Sequence, residues 1–247
     1  MTSPDALLEL FVDVGRVVRR AVDAIDTTDL RARTDRAGQY ALDVVADAEA
    51  CRVLQAAGVR IVSEESGVHE RAGATITVVV DPVDGSTNCS RRIPYWATSI
   101  CALDADGPLA GLVVNQATGV SVTAVRGCGA FRDGVRMRAS TTKRVEDAMV
   151  YLTGTPPAVA PWKQFRALGS AALGLCEIAA GSLDGLLDAG GFHAPWDYLA
   201  GYLACVEAGA VARDARGRTL VTDDPDARRQ LVAAGTPELA DALMSLA

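Results

Sequence analysis

A mixed α/β (α+β) fold is predicted by three features of the chain. Apolar residues recur at steps of three and four near the N-terminus. A series of short β-branched segments separated by turn residues begins near residue 60. The remainder alternates between the two patterns.

Leu7, Phe11, Val14, Val18, Ala21, Val22 and Ile25 give residues 4–25 one apolar face, and Ser3-Pro4 offers an N-cap and a proline at the first helical position. The polar run Asp26–Gln39 carries six charges and no periodicity, which predicts a mobile loop. A second helix is predicted over 43–57, stopped by Gly58. Arg60–Ser63 and Thr75–Val80 then read as strands. Strands near 97–103 and 109–115 flank Asp104-Ala-Asp-Gly, a hairpin signal. Ser121–Val125, Gly129–Phe131 and the Asp133-Gly134 turn continue an antiparallel meander. In the second half, Met149–Leu152 reads as a strand, 171–180 and 198–208 as helices, and 210–213 and 231–234 as strands. A closing helix over 237–246 is capped by Thr236. Polar residues cluster at 140–144, and a boundary placed there divides 1–140 from 141–247.

Composition narrows the function. The chain has 247 residues, 49% hydrophobic and 22% charged, enough for a sizeable core and unlike a disordered segment. A net charge of -7 argues against nucleic-acid binding driven by phosphate neutralisation. It does not exclude a phosphate substrate, because bound cations supply positive charge locally. The six cysteines form no CxxC pair, and with two histidines a Cys/His zinc site is not expected. Free thiols, no basic-then-apolar leader and no run of about 18 apolar residues predict a cytoplasmic protein without a membrane span.

Three acidic elements carry the chemistry. Asp81-Pro-Val-Asp-Gly-Ser-Thr-Asn88 follows a strand directly. Two carboxylates three residues apart in a turn held by Pro82 and Gly85 can face one point, as hard cations require. The Val83 carbonyl is free to ligate, since the predicted strand has ended at Val80, and the amides after Gly85 suit a phosphate. The same segment also makes sense as a purely structural turn. Glu64-Glu65 ends the preceding strand, and loops at adjacent strand ends converge; alone, such a pair is usually solvated. Asp197, in Ala194-Pro-Trp-Asp-Tyr-Leu-Ala-Gly201, sits where an N-cap belongs, and is also aimed to complete a metal site.

Together these residues resemble the inositol monophosphatase family, within the wider lithium-sensitive, metal-dependent sugar phosphatase superfamily. The family's DPxDGTxNF signature is met by Asp81–Asn88 and Cys89, its WDxAAGxxxxxEAG signature by Trp196–Gly209, and its acidic pair by Glu64-Glu65. Arg166–Ala172 is similar to the segment before its substrate-contacting loop. The resemblance implies a layered α/β/α/β/α sandwich, commonly a homodimer, for which the apolar run Ala97–Ala102 is a candidate surface. It implies hydrolysis of a small sugar or cyclitol phosphate monoester with two or three Mg2+ ions. Glu64, Asp81 and the Val83 carbonyl would hold the first ion. Asp81, Asp84 and Asp197 would hold the second, and a third would lie near Glu64 and Glu65 through water. Ser86 stands where the family has a catalytic threonine, and Asp43 matches the aspartate paired with that hydroxyl. Glu64 and this pair would act on the attacking water. Gly85, Ser86, Gly169, Ser170 and Ala171 would meet the substrate, with Asp188 the nearest acidic residue for reading it. His193 is read as structural. The family's mobile-loop lysine has no clear counterpart among Arg31, Arg33 and Arg36. Within the same superfamily, histidinol phosphate and fructose 1,6-bisphosphate are alternative substrates. A catalytically silent ligand-binding relative is the alternative of another class; four retained carboxylates that repel one another without metal argue against it.

Overall fold

The computed structural model describes residues 3–155 and 161–247. Helix α1 (Pro4–Asp23) begins where Ser3 accepts from the Ala6 amide, and buries Leu7, Phe11, Val14, Val18 and Val22 along one stripe. Helix α2 (Ala41–Ala56) starts two residues earlier than its pattern predicts, because Asp43 caps it by accepting from the Tyr40 amide at 2.8 Å.

The segment between these helices is irregular, as expected, and carries some polar contacts of its own. Arg33 pairs with Tyr40 in an isolated bridge, its guanidinium lies 3.5 Å from the Tyr40 ring centroid, and the Ala41 amide donates to Ala32. Such contacts are not reported by periodicity.

The first sheet contains β1 (Arg60–Ser63), β2 (Gly67–His69) and β3 (Thr77–Asp84). The short helix α3 (Ser86–Ser90) leads on to β4 (Ala97–Asp104), β5 (Gly107–Asn115), β6 (Ser121–Val125), β7 (Gly129–Arg132) and β8 (Val135–Arg136). Its order is β2-β1-β3-β4-β5-β6-β7-β8; β1 and β3 are parallel and the other neighbours antiparallel. The second sheet contains β9 (Met149–Thr153), β10 (Gln164–Arg166), β11 (Gly185–Asp188), β12 (Val211–Asp214) and β13 (Leu231–Ala234), in the order β10-β9-β11-β13-β12. Helices α4 (Ala171–Ala179), α5 (Pro195–Glu207) and α6 (Pro237–Met244) complete the chain. The strands β2, β10 and β11 and the helix α3, at three to five residues each, carry neither a period nor a β-branched run that reveals them.

Each sheet needs both faces covered, and the helices do this in layers. Helices α1 and α2 pack on the outer face of the first sheet; Phe11, Leu54, Ile61, Val78 and Ile100 share one core there. Helices α4 and α5 lie between the sheets, and Leu175, Tyr198 and Leu199 pack with Val79 and Val113 on one side and Tyr151 and Leu186 on the other. Helix α6 closes the second sheet with Leu239 and Leu243 against Val150 and Val232. The result is an α/β/α/β/α sandwich.

The dimer surface suggested by Ala97–Ala102 is corrected by this arrangement. That run is the central strand β4, with Ala97, Ile100 and Ala102 at 0% exposure, so it packs within the chain and offers nothing to a second copy.

Candidate active site

Six carboxylates, Asp43, Glu64, Glu65, Asp81, Asp84 and Asp197, line one cavity at the ends of four elements. Strand β1 pairs with β3 so that Ser63 lies beside Val80, and the Glu64 amide donates to the Val80 carbonyl at 3.2 Å. Glu64 therefore leaves β1 next to Asp81. Strand β3 does not end at Val80, as its β-branched run predicts, but stays paired to Asp84 through a bulge. Asp81 pairs with Ser99 and Asp84 with Ala97, so one extra residue is accommodated between them. In a regular strand, residues three apart face opposite sides; the extra residue brings both aspartates to one side. The Val83 amide closes the bulge by donating to Asp81 Oδ1 at 2.9 Å.

Asp197 is corrected from cap to first-turn residue. Helix α5 starts at Pro195, Ala194 occupies the N-cap, and Asp197 Oδ2 accepts from the Ala194 amide at 2.6 Å. Carboxylate oxygens of Glu64, Asp81 and Asp197 lie within 4.8 Å of one another. Burial pushes the Asp81 and Glu64 carboxyls well above the usual carboxylate range. For Asp81 the charges of Glu64, Asp84 and Asp197 add to the effect, and for Glu64 those of Asp197 and Glu65. Burial and Asp197 raise Asp84 to about 6, against the opposing hydrogen bonds it accepts.

Asp84 is held from the other half of the chain. Its Oδ2 accepts from Ser170 Oγ at 2.6 Å and the Ala172 amide at 2.8 Å. Ser170 Oγ also accepts from the Leu173 amide as the N-cap of α4. Of the residues expected against the substrate, Ser170 and Ala171 are buried and Gly169 is exposed, and none of the three lines this cavity. Gly85, which opens α3, has φ 93°; a Cβ there would come 2.9 Å from the Gly169 carbonyl and 3.2 Å from that of Tyr95. Only glycine allows this approach of the two halves.

The cavity encloses about 240 Å³ and is lined by Asp43, Glu64, Asp81, Val83, Asp84, Gly85, Ser86 and Asp197, with Arg36–Gln39 and Glu65 on the facing side. Asp43 Oδ2 is spent on the Tyr40 amide, and Oδ1 is buried without a partner, so the expected bond from Ser86 is not made. Burial raises the Asp43 carboxyl to about 7, with Glu65 adding to the effect and Arg33 opposing it. Glu65 turns toward Arg36, whose Nη1 lies 3.2 Å from its Oε2, and accepts from Gln39 as well. An ion at Glu65 has to compete with these donors. Arg36, left undistinguished from Arg31 and Arg33 by sequence, is the cation that lines the cavity among the described residues.

Asp188 does not line this cavity. It is 2% exposed and accepts from Thr153 Oγ1 at 2.9 Å and the Gly190 and Gly191 amides at 2.8 and 3.0 Å, which secures the turn after β11. His193 lies between carboxylates, Nε2 3.8 Å from Asp188 and Nδ1 3.5 Å from Asp197. Burial works against the imidazolium, but the Asp197 hydrogen bond and the charges of Asp197, Asp188 and Asp84 outweigh it and raise the pKa.

The oxygens that approach one another at this cavity, from Glu64, Asp81 and Asp197, are carboxylate oxygens, crowded and largely removed from water. Groups of this kind suit a hard divalent cation, which relieves their repulsion and replaces their lost hydration. A buried carboxylate cluster facing a small cavity at strand and helix ends is the arrangement of a cation-dependent site. The inositol monophosphatase family model matches residues 6–247, and the chain belongs to that family. It is 33% identical over 205 residues to Nus factor SuhB of Salmonella typhimurium, covering 74% of this chain and 76% of that protein. It is 36% identical over 179 residues to a fructose-1,6-bisphosphatase/inositol-1-monophosphatase of Thermococcus kodakarensis, covering 72% and 70%. A solved Pyrococcus horikoshii protein, described as hypothetical with similarities to inositol-1 monophosphatase, has the same fold. Its TM-score is 0.90 at 24% identity over 99% of both chains.

Proposed function

We propose that the chain is a Mg2+-dependent phosphoric monoester hydrolase acting on a small sugar or cyclitol phosphate, with two or three ions at work. The observation that carries this reading is the mutual approach of Glu64, Asp81 and Asp197, buried and facing a cavity, in a member of this family. Glu64, Asp81 and the Val83 carbonyl serve as one ligand set, and Asp81, Asp84 and Asp197 as a second. Bound cations supply positive charge for the phosphoryl oxygens and acidity for the attacking water.

The chain's own residues do the rest. Ser170 and the Ala172 amide fix the Asp84 carboxylate, and the Ala194 amide fixes Asp197. Ser86 offers a hydroxyl to the water from the first turn of α3. Asp43 Oδ1, unpartnered and at the cavity wall, is a proton acceptor whose raised pKa matches work near neutral pH. Arg36 contributes a guanidinium to the side facing the cluster, where an anionic substrate enters.

The partner in this reading is a small phosphorylated molecule and not a nucleic acid or a membrane, in keeping with the net charge of -7. Among the described residues no helix is long and apolar enough to cross a membrane. A cytoplasmic location suits the six free cysteines. A homodimer remains part of the proposal, on a surface other than Ala97–Ala102. Relatives named for fructose-1,6-bisphosphatase make that bisphosphate the second substrate to try. Phosphate release should be measured on inositol 1-phosphate, fructose 1,6-bisphosphate and histidinol phosphate while Mg2+ is titrated. Release from at least one of them that vanishes with chelator is expected; release unaffected by chelator would remove the proposal.

A further inference from the structure

Helix α2 carries polar side chains at every fourth position, Asp43, Asp47, Cys51 and Gln55, on one stripe. Asp43 belongs to the cavity, but Asp47, Cys51 and Gln55 do not line it. They face the turn Ser63-Glu64-Glu65-Ser66 between β1 and β2. Ser63, at 0% exposure, donates its hydroxyl to Asp47 Oδ1, and the Cys51 thiol donates to the same oxygen at 3.5 Å. Beyond Glu65, Ser66 Oγ lies 3.5 Å from Cys51 Sγ and 2.7 Å from His69 Nε2, and Gln55 Nε2 lies 3.1 Å from His69 Nδ1.

Counting hydrogens gives these contacts a direction. The Gln55 amide nitrogen can only donate, so His69 Nδ1 accepts from it and the ring hydrogen lies on Nε2. Nε2 then donates to Ser66 Oγ, the Ser66 hydrogen is free for the Cys51 sulfur, and the thiol hydrogen goes to Asp47. One run of donors passes from Gln55 at the surface to a carboxylate that is 5% exposed. Both ends of the Glu64-Glu65 turn are thereby tied to α2: the first through Ser63 and Asp47, the second through Ser66, His69 and Cys51.

We propose that Asp47, Cys51 and Gln55 are positioning residues that hold this turn so that Glu64 meets Asp81 and Asp197, and so set the affinity of the cluster for its cation. This rests on reading the cluster as a cation site. Partners behind metal ligands are commonly worth about 10–100-fold in metal affinity.

The test is calorimetric titration of the full chain with Mg2+, for the wild type and for Asp47→Ala, Asp47→Asn, Ser63→Ala and Glu64→Gln, with circular dichroism to establish folding. Asp47→Ala and Ser63→Ala should weaken Mg2+ binding by about 10–100-fold. Asp47→Asn keeps an acceptor for Ser63 and should stay within about threefold of wild type. Any hydrolysis that Asp47→Ala loses at low Mg2+ should return at high Mg2+. The proposal is overturned if Asp47→Ala and Ser63→Ala bind like wild type while Glu64→Gln binds weakly. It is overturned too if Asp47→Asn is as weak as Asp47→Ala, because charge and not the hydrogen bond would then be at work. Should Asp47→Ala not fold, Ser63→Ala decides alone. A wild type that binds no Mg2+, or a Glu64→Gln variant that binds undiminished, would instead remove the cation site on which the proposal rests.

Discussion

Asp43 and Asp84 hold protons in the folded protein that an unfolded chain gives up at lower pH. Burial raises them to about 7 and about 6, and Glu64 and Asp81 are raised as well. Between the ordinary carboxylate range, near ~4, and about 7, the folded state binds more protons than the unfolded one, so stability falls as pH rises. His193, raised by its carboxylate neighbours, contributes in the same direction: its stabilisation is present at low pH and lost as pH climbs past its folded value. We expect the chelator-treated protein to melt higher at pH 5 than at pH 8, and Mg2+ to narrow the difference. Equal melting temperatures without metal would mean that the carboxylates do not destabilise one another. Most of these residues were readable in the sequence, because Glu64, Asp81, Asp84 and Asp197 sit in three short acidic elements. Arg36 and Asp47 were not, because their meaning comes from contacts with Glu65 and Ser63, which are distant in sequence and have no periodic signature.

At the scale of elements, the bulge in β3 and the cap of α4 do the aligning. A β-branched run predicts where β3 starts but not that it continues through Pro82, since the register shift depends on β4. Helices α1, α2, α4, α5 and α6 were all signalled by apolar spacing or caps. Strands β2, β10 and β11 were missed because none carries the adjacent β-branched pair that revealed β1, which is equally short. Ser170 ties two elements together, donating to Asp84 in β3 and accepting from Leu173 in α4. Ser170→Ala removes an N-cap and one partner of a buried carboxylate, each worth about 1 kcal/mol. Urea unfolding should show a loss of about 1–2 kcal/mol, together with weaker Mg2+ binding. An unchanged midpoint and affinity would show that α4 does not position Asp84.

For the whole molecule, the helix layer between the two sheets brings residues from both halves to one site. Glu64, Asp81 and Asp84 come from the first sheet, Asp197 from α5, and the bonds that fix Asp84 from the start of α4. Layering was legible only through the family resemblance; composition and periodicity reach no further than a mixed fold. Asp81 lies at the centre of this assembly, fully buried and beside Glu64, so it is the residue through which to test the reading of the cluster as a cation site. The direct measurement is thermal melting of wild type and Asp81→Asn, each with chelator and with saturating Mg2+. Removing one of several repelling carboxylates should leave the metal-free variant as stable as wild type or more so. Mg2+ should stabilise the wild type by mass action and the variant much less. A variant that gains the full Mg2+ stabilisation would contradict the account and place the ions elsewhere.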